Sequence, residues 1–415
     1  MKTLKRTWAD ISLDNLEYNY RSIRAHLPQG TKFLGVMKAD AYGHGAVPVS
    51  RALADLGAEY LAVSNLEEAV QIRRGEVRLP ILILGYTPAE YAANMIFLDI
   101  TQEVHSLEYA RELNEALAGT NYILNVHLKL DTGMTRIGFF AYDNERTLDE
   151  LRQVAQLPHL HIEGAFMHFC VADSRAEADV SFTKLQYKRF MDMLSAMAGV
   201  GIRPEIRHCC NSGATILYPE FALDMVRPGI ITYGNAPSDE LEGALSLRPM
   251  MSLHSMIAQV RTVPAGTDIS YGLLYRTKEE TRVAVLPIGY ADGLSRLLTG
   301  KASFYLQGHQ VPVIGRICMD MCMIDVSNVP EAKPGDVVTI FGYDDDGTLL
   351  PCERLARAQG TINYELLCQI SKRIPRISAC RQISASTASA IAARRPRRSC
   401  STLFEKTRHF SPLPA

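Results

Sequence analysis

The chain has 415 residues, 47% of them hydrophobic and 21% charged, which is the profile of a soluble globular protein long enough for two domains. Its formal net charge of −1 offers no general attraction to nucleic acid or to anionic lipid. The nine cysteines are odd in number and irregularly spaced, with Cys209 and Cys210 adjacent and no recurring CxxC pair, so neither a disulfide framework nor a metal site is expected.

The opening MKTLKRTWADISLDNLEYNYRSIR lacks an apolar core of signal-peptide length and reads as a short strand, an Asp/Ser-capped start and an amphipathic helix. No stretch approaches the roughly 20 uninterrupted apolar residues of a membrane span, so a cytoplasmic location with no membrane partner is expected. From about residue 10 to 240, apolar runs alternate with helix-period stretches. FLGVM (33–37), YLAVS (60–64), ILILG (81–85), ILNVHLKL (123–130) and IEGAFMHF (162–169) are candidate strands. VPVSRALADLG, NLEEAVQIRR, SLEYARELNEAL and SFTKLQYKRFMDMLSAMA are the helical segments between and after them. Repeated βα units of this kind predict a TIM-type barrel or a doubly wound sheet over residues 1–240.

After about residue 240 the texture changes to β-branched segments such as RVAVLPIGY, VPVIGRICM and DVVTIFGYD, separated by turns such as VPAGT and KPGD. This predicts a mostly β domain over 241–377. From 378 to 415 the chain is rich in Ser, Ala and Arg, with RRPRR at 394–398, and a disordered basic tail is favoured over a nucleic-acid arm.

The segment VMKADAYGHG carries the first chemical signal. A strand delivers Lys38 to its C-terminal end, where a barrel's catalytic face lies, and a turn with Tyr42, Gly43, His44 and Gly45 follows. Two readings are open from these residues alone: an imine-forming lysine, or a partly buried lysine paired with Asp40. Further segments recur along the chain: HLKLDTGMTRIGF (127–139), MHF (167–169), NS (211–212), MVRPGIITYG (225–234), ISYG (269–272), LPIGYADG (286–293), GRICMDM (315–321) and INYELL (362–367).

In order and separation these motifs resemble the alanine racemase family over about residues 5–377. The resemblance implies an α/β fold, a barrel binding pyridoxal 5′-phosphate (PLP) followed by a β domain, working on a small amino acid as a homodimer with shared active sites. It implies that Lys38 attaches the cofactor and acts as a base on one face of the substrate α-carbon. Tyr271 of the other subunit would be the base on the opposite face. A tyrosine with a pKa of about 10 must be assisted by nearby charge to act as a base, and His168 is the expected neighbour.

Arg227 would face the cofactor's pyridine nitrogen. Because it stays protonated, it would leave that nitrogen unprotonated and the ring a weaker electron sink than a carboxylate partner would. The resemblance assigns the rest of the cofactor's contacts to Tyr42, His168, Asn211, Ser212, Gly229, Ile230 and Tyr364. Arg136 and Met319 would contact the substrate carboxylate. Lys129 would position Arg136, carbamylated as in some relatives; a surface pair with Asp131 is the plain alternative. Asp173, His208, Tyr290, Arg296, Arg316, Asp320 and Ile362 match residues around the family's entrance, although His208 also reads as a core histidine. Competing readings are a serine racemase, a PLP decarboxylase of the same fold type, and a non-catalytic PLP carrier. Arg227 argues against the decarboxylase, and the ISYG and CMD motifs against the carrier.

Overall fold

The computed structural model describes residues 5–142 and 144–379; the expected tail lies almost entirely outside them. The first strand, β1 (Thr7–Ser12), is followed by a helix over Leu13–His26, and the Ser12 side chain accepts from the Asn15 N–H as its N-cap. Parallel strands then alternate with helices: β2 (Lys32–Val36), β3 (Tyr60–Val63), β4 (Ile81–Ile83), β5 (Ile100–Val104) and β6 (Leu124–Asp131). A two-residue strand β7 (Phe139–Phe140) sits beside β6, before β8 (Leu160–Phe166), β9 (Ile206–His208) and β10 (Met225–Val226). The sheet runs β10-β2-β3-β4-β5-β6-β8-β9. Backbone bonds from Asp224 N–H to the Arg207 carbonyl (3.1 Å) and from Arg227 N–H to the Cys210 carbonyl (2.9 Å) join its two ends, so the sheet closes as a TIM-type barrel.

Side-chain caps place the helices. Asn65 accepts from Glu68 N–H to start Leu66–Arg74, and Ser106 accepts from Tyr109 N–H to start Leu107–Ala116. Strands such as YLAV and ILI are buried throughout, as parallel strands covered by helices must be. Strand β5, ITQEV, is equally buried but polar. Its Gln102 amide donates to the Gly85 carbonyl and its Thr101 hydroxyl to Glu163, so interior partners replace an apolar pattern.

The mostly β domain contains β11 (Met251–Met256), β12 (Gln259–Val263), β13 (Asp268–Ile269), β14 (Tyr275–Arg276), β15 (Thr281–Leu286), β16 (Ser303–Leu306) and β17 (His309–Ile314). It continues through β18 (Cys322–Asp325), β19 (Val337–Tyr343), β20 (Leu349–Leu350) and β21 (Arg376–Ala379). Its main sheet runs β12-β15-β18-β17-β16-β19-β11-β1-β21. Strand β1 pairs antiparallel with β11 and parallel with β21. The first strand therefore belongs to the β domain's sheet, and assigning residues 1–240 wholly to the barrel is corrected there. Local sequence shows that a strand forms but not which sheet supplies its hydrogen bonds. Among the described residues, no helix is long and apolar enough to cross a membrane.

Candidate active site

Strand β2 ends at Val36, and Lys38 opens a short turn of unusual hand. Ala39, Asp40, Ala41 and Tyr42 all have φ between +52° and +56°, a left-handed helical turn. Such a conformation costs roughly 1–2 kcal/mol per residue, so the surroundings must impose it. They do. The Glu68 carboxylate accepts from the Ala39 N–H (2.6 Å) and the Ser64 N–H (2.8 Å), and Asp40 accepts from the Ala46 N–H (2.7 Å). The Arg376 guanidinium donates to the Gly43 carbonyl (2.9 Å), so the start of β21 locks the end of the turn.

Lys38 faces a cavity of about 580 Å³ at the C-terminal ends of the strands. Protein walls around its amine lower its pKa, and the Arg136 cation adds to the effect against opposing charges on Cys368 and Glu68. No ion pair joins it to Asp40, so the imine-capable reading is the one the geometry supports.

Tyr42, Ser212, Gly229 and Tyr364 line the same cavity as Lys38. Ser212 Oγ accepts from the Gly229 N–H (2.9 Å), and the Tyr42 and Tyr364 rings lie 5.9 Å apart. A Cβ on Gly229 would sit 2.6 Å from the Tyr42 hydroxyl, so only glycine leaves this cradle of donors open. Ile230 has a buried side chain and starts the turn Ile230–Tyr233, which leaves its backbone as the group that can serve a ligand. Asn211 lines the cavity too, but its side chain is occupied as a helix cap, accepting from Ala214 N–H (3.0 Å) and donating to the Phe169 carbonyl (3.3 Å).

Arg227 follows β10 and is buried on the cavity floor. It donates to the Met167 carbonyl (2.7 Å), the Cys209 carbonyl (3.1 Å) and His208 Nδ1 (2.9 Å). Burial lowers its pKa to about 10, which still leaves it charged at neutral pH. Among the described residues it has no carboxylate in ion-pair range. A cationic donor sharing one cavity with an amine and several hydroxyls fits an anionic, aldehyde-bearing cofactor such as PLP.

Arg136 lines the same cavity from a loop that Asp131 organises. One Asp131 oxygen accepts from the N–H groups of Gly133, Met134 and Thr135 (2.9, 2.9 and 3.1 Å). Lys129 is buried rather than paired on the surface: it donates to the Leu130 carbonyl (3.1 Å), and burial takes its pKa down to about 8. Two expectations change. His168 lines the cavity, but burial and then the charges of Arg227, Arg136, Lys129 and Lys38 press its pKa well below the ordinary value, so it brings no positive charge to a tyrosine. His208 is wholly buried, stacked on Phe166 and bonded to Arg227, so it is a core histidine and not part of an entrance.

A groove of about 900 Å³ adjoins the cavity through Asp173, Pro237 and Tyr364, and Ile362 lines it. Tyr271, Tyr290, Arg296, Arg316, Met319 and Asp320 lie outside both. Backbone and side-chain bonds tie most of their loops together on the β domain. Ser270 donates to the Arg316 carbonyl (2.7 Å), and Ala291 N–H to the Met319 carbonyl (3.0 Å). Arg373 donates to Asp320 (2.8 Å). Tyr271 is 70% exposed and Met319 53%, with Leu273, Leu274 and Met321 exposed beside them.

Glu68 and Arg376 brace the Lys38 turn from segments distant in sequence, so the motif gives no sign of them, and Asp131 reads from sequence only as a possible ion-pair partner of Lys129.

The family models for the alanine racemase N-terminal and C-terminal domains match residues 11–237 and 250–378. The chain is 46% identical to an alanine racemase of Desulfovibrio desulfuricans, over 89% of this chain and 97% of that one. It is 43% identical to one of Clostridium tetani, over 91% and 96%. Among solved structures, an alanine racemase of Clostridium difficile 630 superposes with a TM-score of 0.86 at 40% identity, covering 92% of this chain and 97% of that one. One of Bacillus anthracis with bound L-Ala-P gives 0.85 at 34%, covering 92% and 97%. With both domain models matched and relatives aligned over nearly their whole length, the chain belongs to the PLP-dependent alanine racemase family.

Proposed function

We propose that this chain is an alanine racemase, interconverting L- and D-alanine in the cytoplasm and supplying D-alanine for peptidoglycan. The observation that carries the reading is one cavity holding both an amine of lowered pKa, Lys38, and a buried cation with no carboxylate partner among the described residues, Arg227. When bound, PLP supplies the electron withdrawal that acidifies the substrate's α C–H bond.

The chain's own residues do the rest. Tyr42, Ser212, Tyr364 and the backbone at Gly229 and Ile230 would hold the cofactor's phosphate, and Arg227, as a permanent donor, would face its ring nitrogen and disfavour a proton there. That would moderate the cofactor's electron withdrawal and favour return of the proton over other outcomes. Arg136 pairs with the substrate carboxylate, steadied by Lys129 as an amine or a carbamate. The Lys38 amine takes or gives the proton on one face of the α-carbon.

Tyr271 serves the other face in a second copy of the chain. Its exposure, and that of Met319, Leu273, Leu274 and Met321, supports a homodimer in which this face covers the partner's cavity. Met319 then offers its backbone N–H to the carboxylate, and Tyr290, Arg296, Arg316 and Asp320 join Asp173 and Ile362 around the approach. His168 assists Tyr271 as a neutral hydrogen-bond partner.

Purified protein with PLP and L-alanine should form D-alanine, and Lys38→Ala should lower the rate by at least about 10³-fold. Racemisation of serine in place of alanine would keep the chemistry and change the substrate. Carbon dioxide release with no D-amino acid would overturn the reading.

A further inference from the structure

The barrel interior contains a chain of polar side chains that starts at Arg227 and leads away from the cavity. Arg227 Nη1 lies 2.9 Å from His208 Nδ1, and His208 Nε2 lies 2.9 Å from His127 Nδ1. His127 Nε2 lies 3.0 Å from Glu163 Oε2. Glu163 is at the other end of the barrel: Tyr60 opens β3, Thr101 is second in β5, and both lie against its carboxylate. His127 and His208 are wholly buried, so no bulk water replaces a missing partner.

We infer that Glu163 and His127 are positioning residues: acting through His208, they hold the charged Arg227 in its cavity-facing orientation by a directed hydrogen-bond relay across the barrel. As it bears on the reaction, this rests on the reading of Arg227 given above.

The direction follows from donor and acceptor inventory. A guanidinium only donates, so His208 Nδ1 must be an acceptor. The proton of a neutral His208 then sits on Nε2 and donates to His127 Nδ1. The proton of a neutral His127 sits on Nε2 and donates to a carboxylate, which accepts. Reversing either ring would set donor against donor at one end. The two fixed ends, a cation and an anion, leave one consistent assignment.

The charge balance agrees with it. Burial lowers the pKa of both histidines, and for His208 the Arg227 charge adds to it, so both are neutral rings. Burial opposes ionisation of Glu163, but hydrogen bonds from His127, Tyr60 and Thr101 outweigh it and leave its pKa below the ordinary value. Asp99 beside Tyr60 and Lys32 towards His127 also face this end, with Glu59 and the Arg207–Asp224 pair on the neighbouring strand ends. The packing is built around the relay as well. A Cβ on Gly164 would meet the His127 ring at 2.5–2.6 Å, so glycine is needed for the ring to lie where it bridges His208 and Glu163. His208 is stacked on Phe166, which fixes its plane.

The relay is tested by ¹⁵N NMR of histidine-labelled holoenzyme near pH 7.5. His127 and His208 should each be neutral and protonated on Nε2 alone. Glu163→Gln, whose amide can both donate and accept, should lose the single tautomer at His127. It should also shift the absorption maximum of bound PLP and lower kcat about tenfold with KM for alanine within about twofold. Glu163→Asp should keep the tautomers and stay within about threefold of wild-type kcat. Gly164→Ala, which removes no polar group but displaces the His127 ring, should reproduce the Glu163→Gln signature.

A wild-type His208 protonated on Nδ1, or a cationic His127, would overturn the relay. So would a Glu163→Gln variant with unchanged tautomers and unchanged cofactor absorbance. If the tautomers are as expected but no D-alanine is formed, the relay stands and the racemase reading falls. If D-alanine is formed with the wrong tautomers, the relay alone falls.

Discussion

The Lys38 cavity and the Tyr271 face are made in opposite ways. Around Lys38 the chain stores strain and braces it: a left-handed turn held by Glu68, Asp40 and Arg376, a loop gathered on one Asp131 oxygen, and a buried arginine that donates to two backbone carbonyls and to His208. Around Tyr271, Ser270 and Leu273 also have positive φ, but the large side chains nearby are exposed. The Lys38 cavity is finished inside the fold, and the Tyr271 face is presented outward. A group that must hold a cofactor benefits from pre-organisation within one chain, whereas a face left apolar needs a partner to cover it.

That contrast can be broken most decisively by mixing subunits. Tyr271→Ala alone should lower racemisation by about 10²–10⁴-fold, as loss of an acid–base group does. A mixture of Lys38→Ala and Tyr271→Ala subunits should regain activity, because one hybrid site then has both wild-type groups. If the mixture stays as inactive as its components after subunit exchange, the two residues act within one chain and the outward face has some other use.

A smaller effect is expected inside the braced half. Asp131→Ala removes the acceptor of three N–H groups and should raise KM for alanine about tenfold through Arg136, with Lys38 reactivity towards PLP unchanged. Equal loss of cofactor binding would show that the loop supports the whole cavity.

The smallest is a pH effect from Lys129. Its folded pKa of about 8 is below the ordinary value of 10.5, so between these values the unfolded chain binds more protons. Stability from this group therefore rises with pH through that window, and the burial penalty is fully felt below it. Lys129→Met should be more heat-stable than wild type at pH 7, by a few degrees (roughly the effect of 1 kcal/mol), and the advantage should shrink between pH 8 and 10.5. A constant difference would mean that Lys129 keeps its charge state on folding.

Much of both halves was legible along the chain. Lys38 with its turn and the loop of Arg136 lie in contiguous motifs, so both stand out along the chain. Strands such as YLAV and ILI announce themselves by apolar runs. Strand β5 did not, because Thr101, Gln102 and Glu103 are buried against polar partners, and IRH and MV are too short to carry a period. His208 matches the family's entrance by resemblance and also reads as a core histidine; its ring is wholly buried and bonded to Arg227, which only the packing decides.

The sequence by itself determined the chemical inventory: a lysine after a strand, an arginine before PGI, hydroxyls at turns, and a β segment carrying a tyrosine. These are properties of short stretches, where residue type and local backbone decide the outcome. Tertiary structure alone decided that β1 crosses to the β domain's sheet, that His168 and His208 are neutral, and that Arg227 connects to Glu163 through residues 36 and 81 positions apart. Burial and hydrogen-bond partnership between distant segments set those features, and neither is a property of the residues taken one stretch at a time.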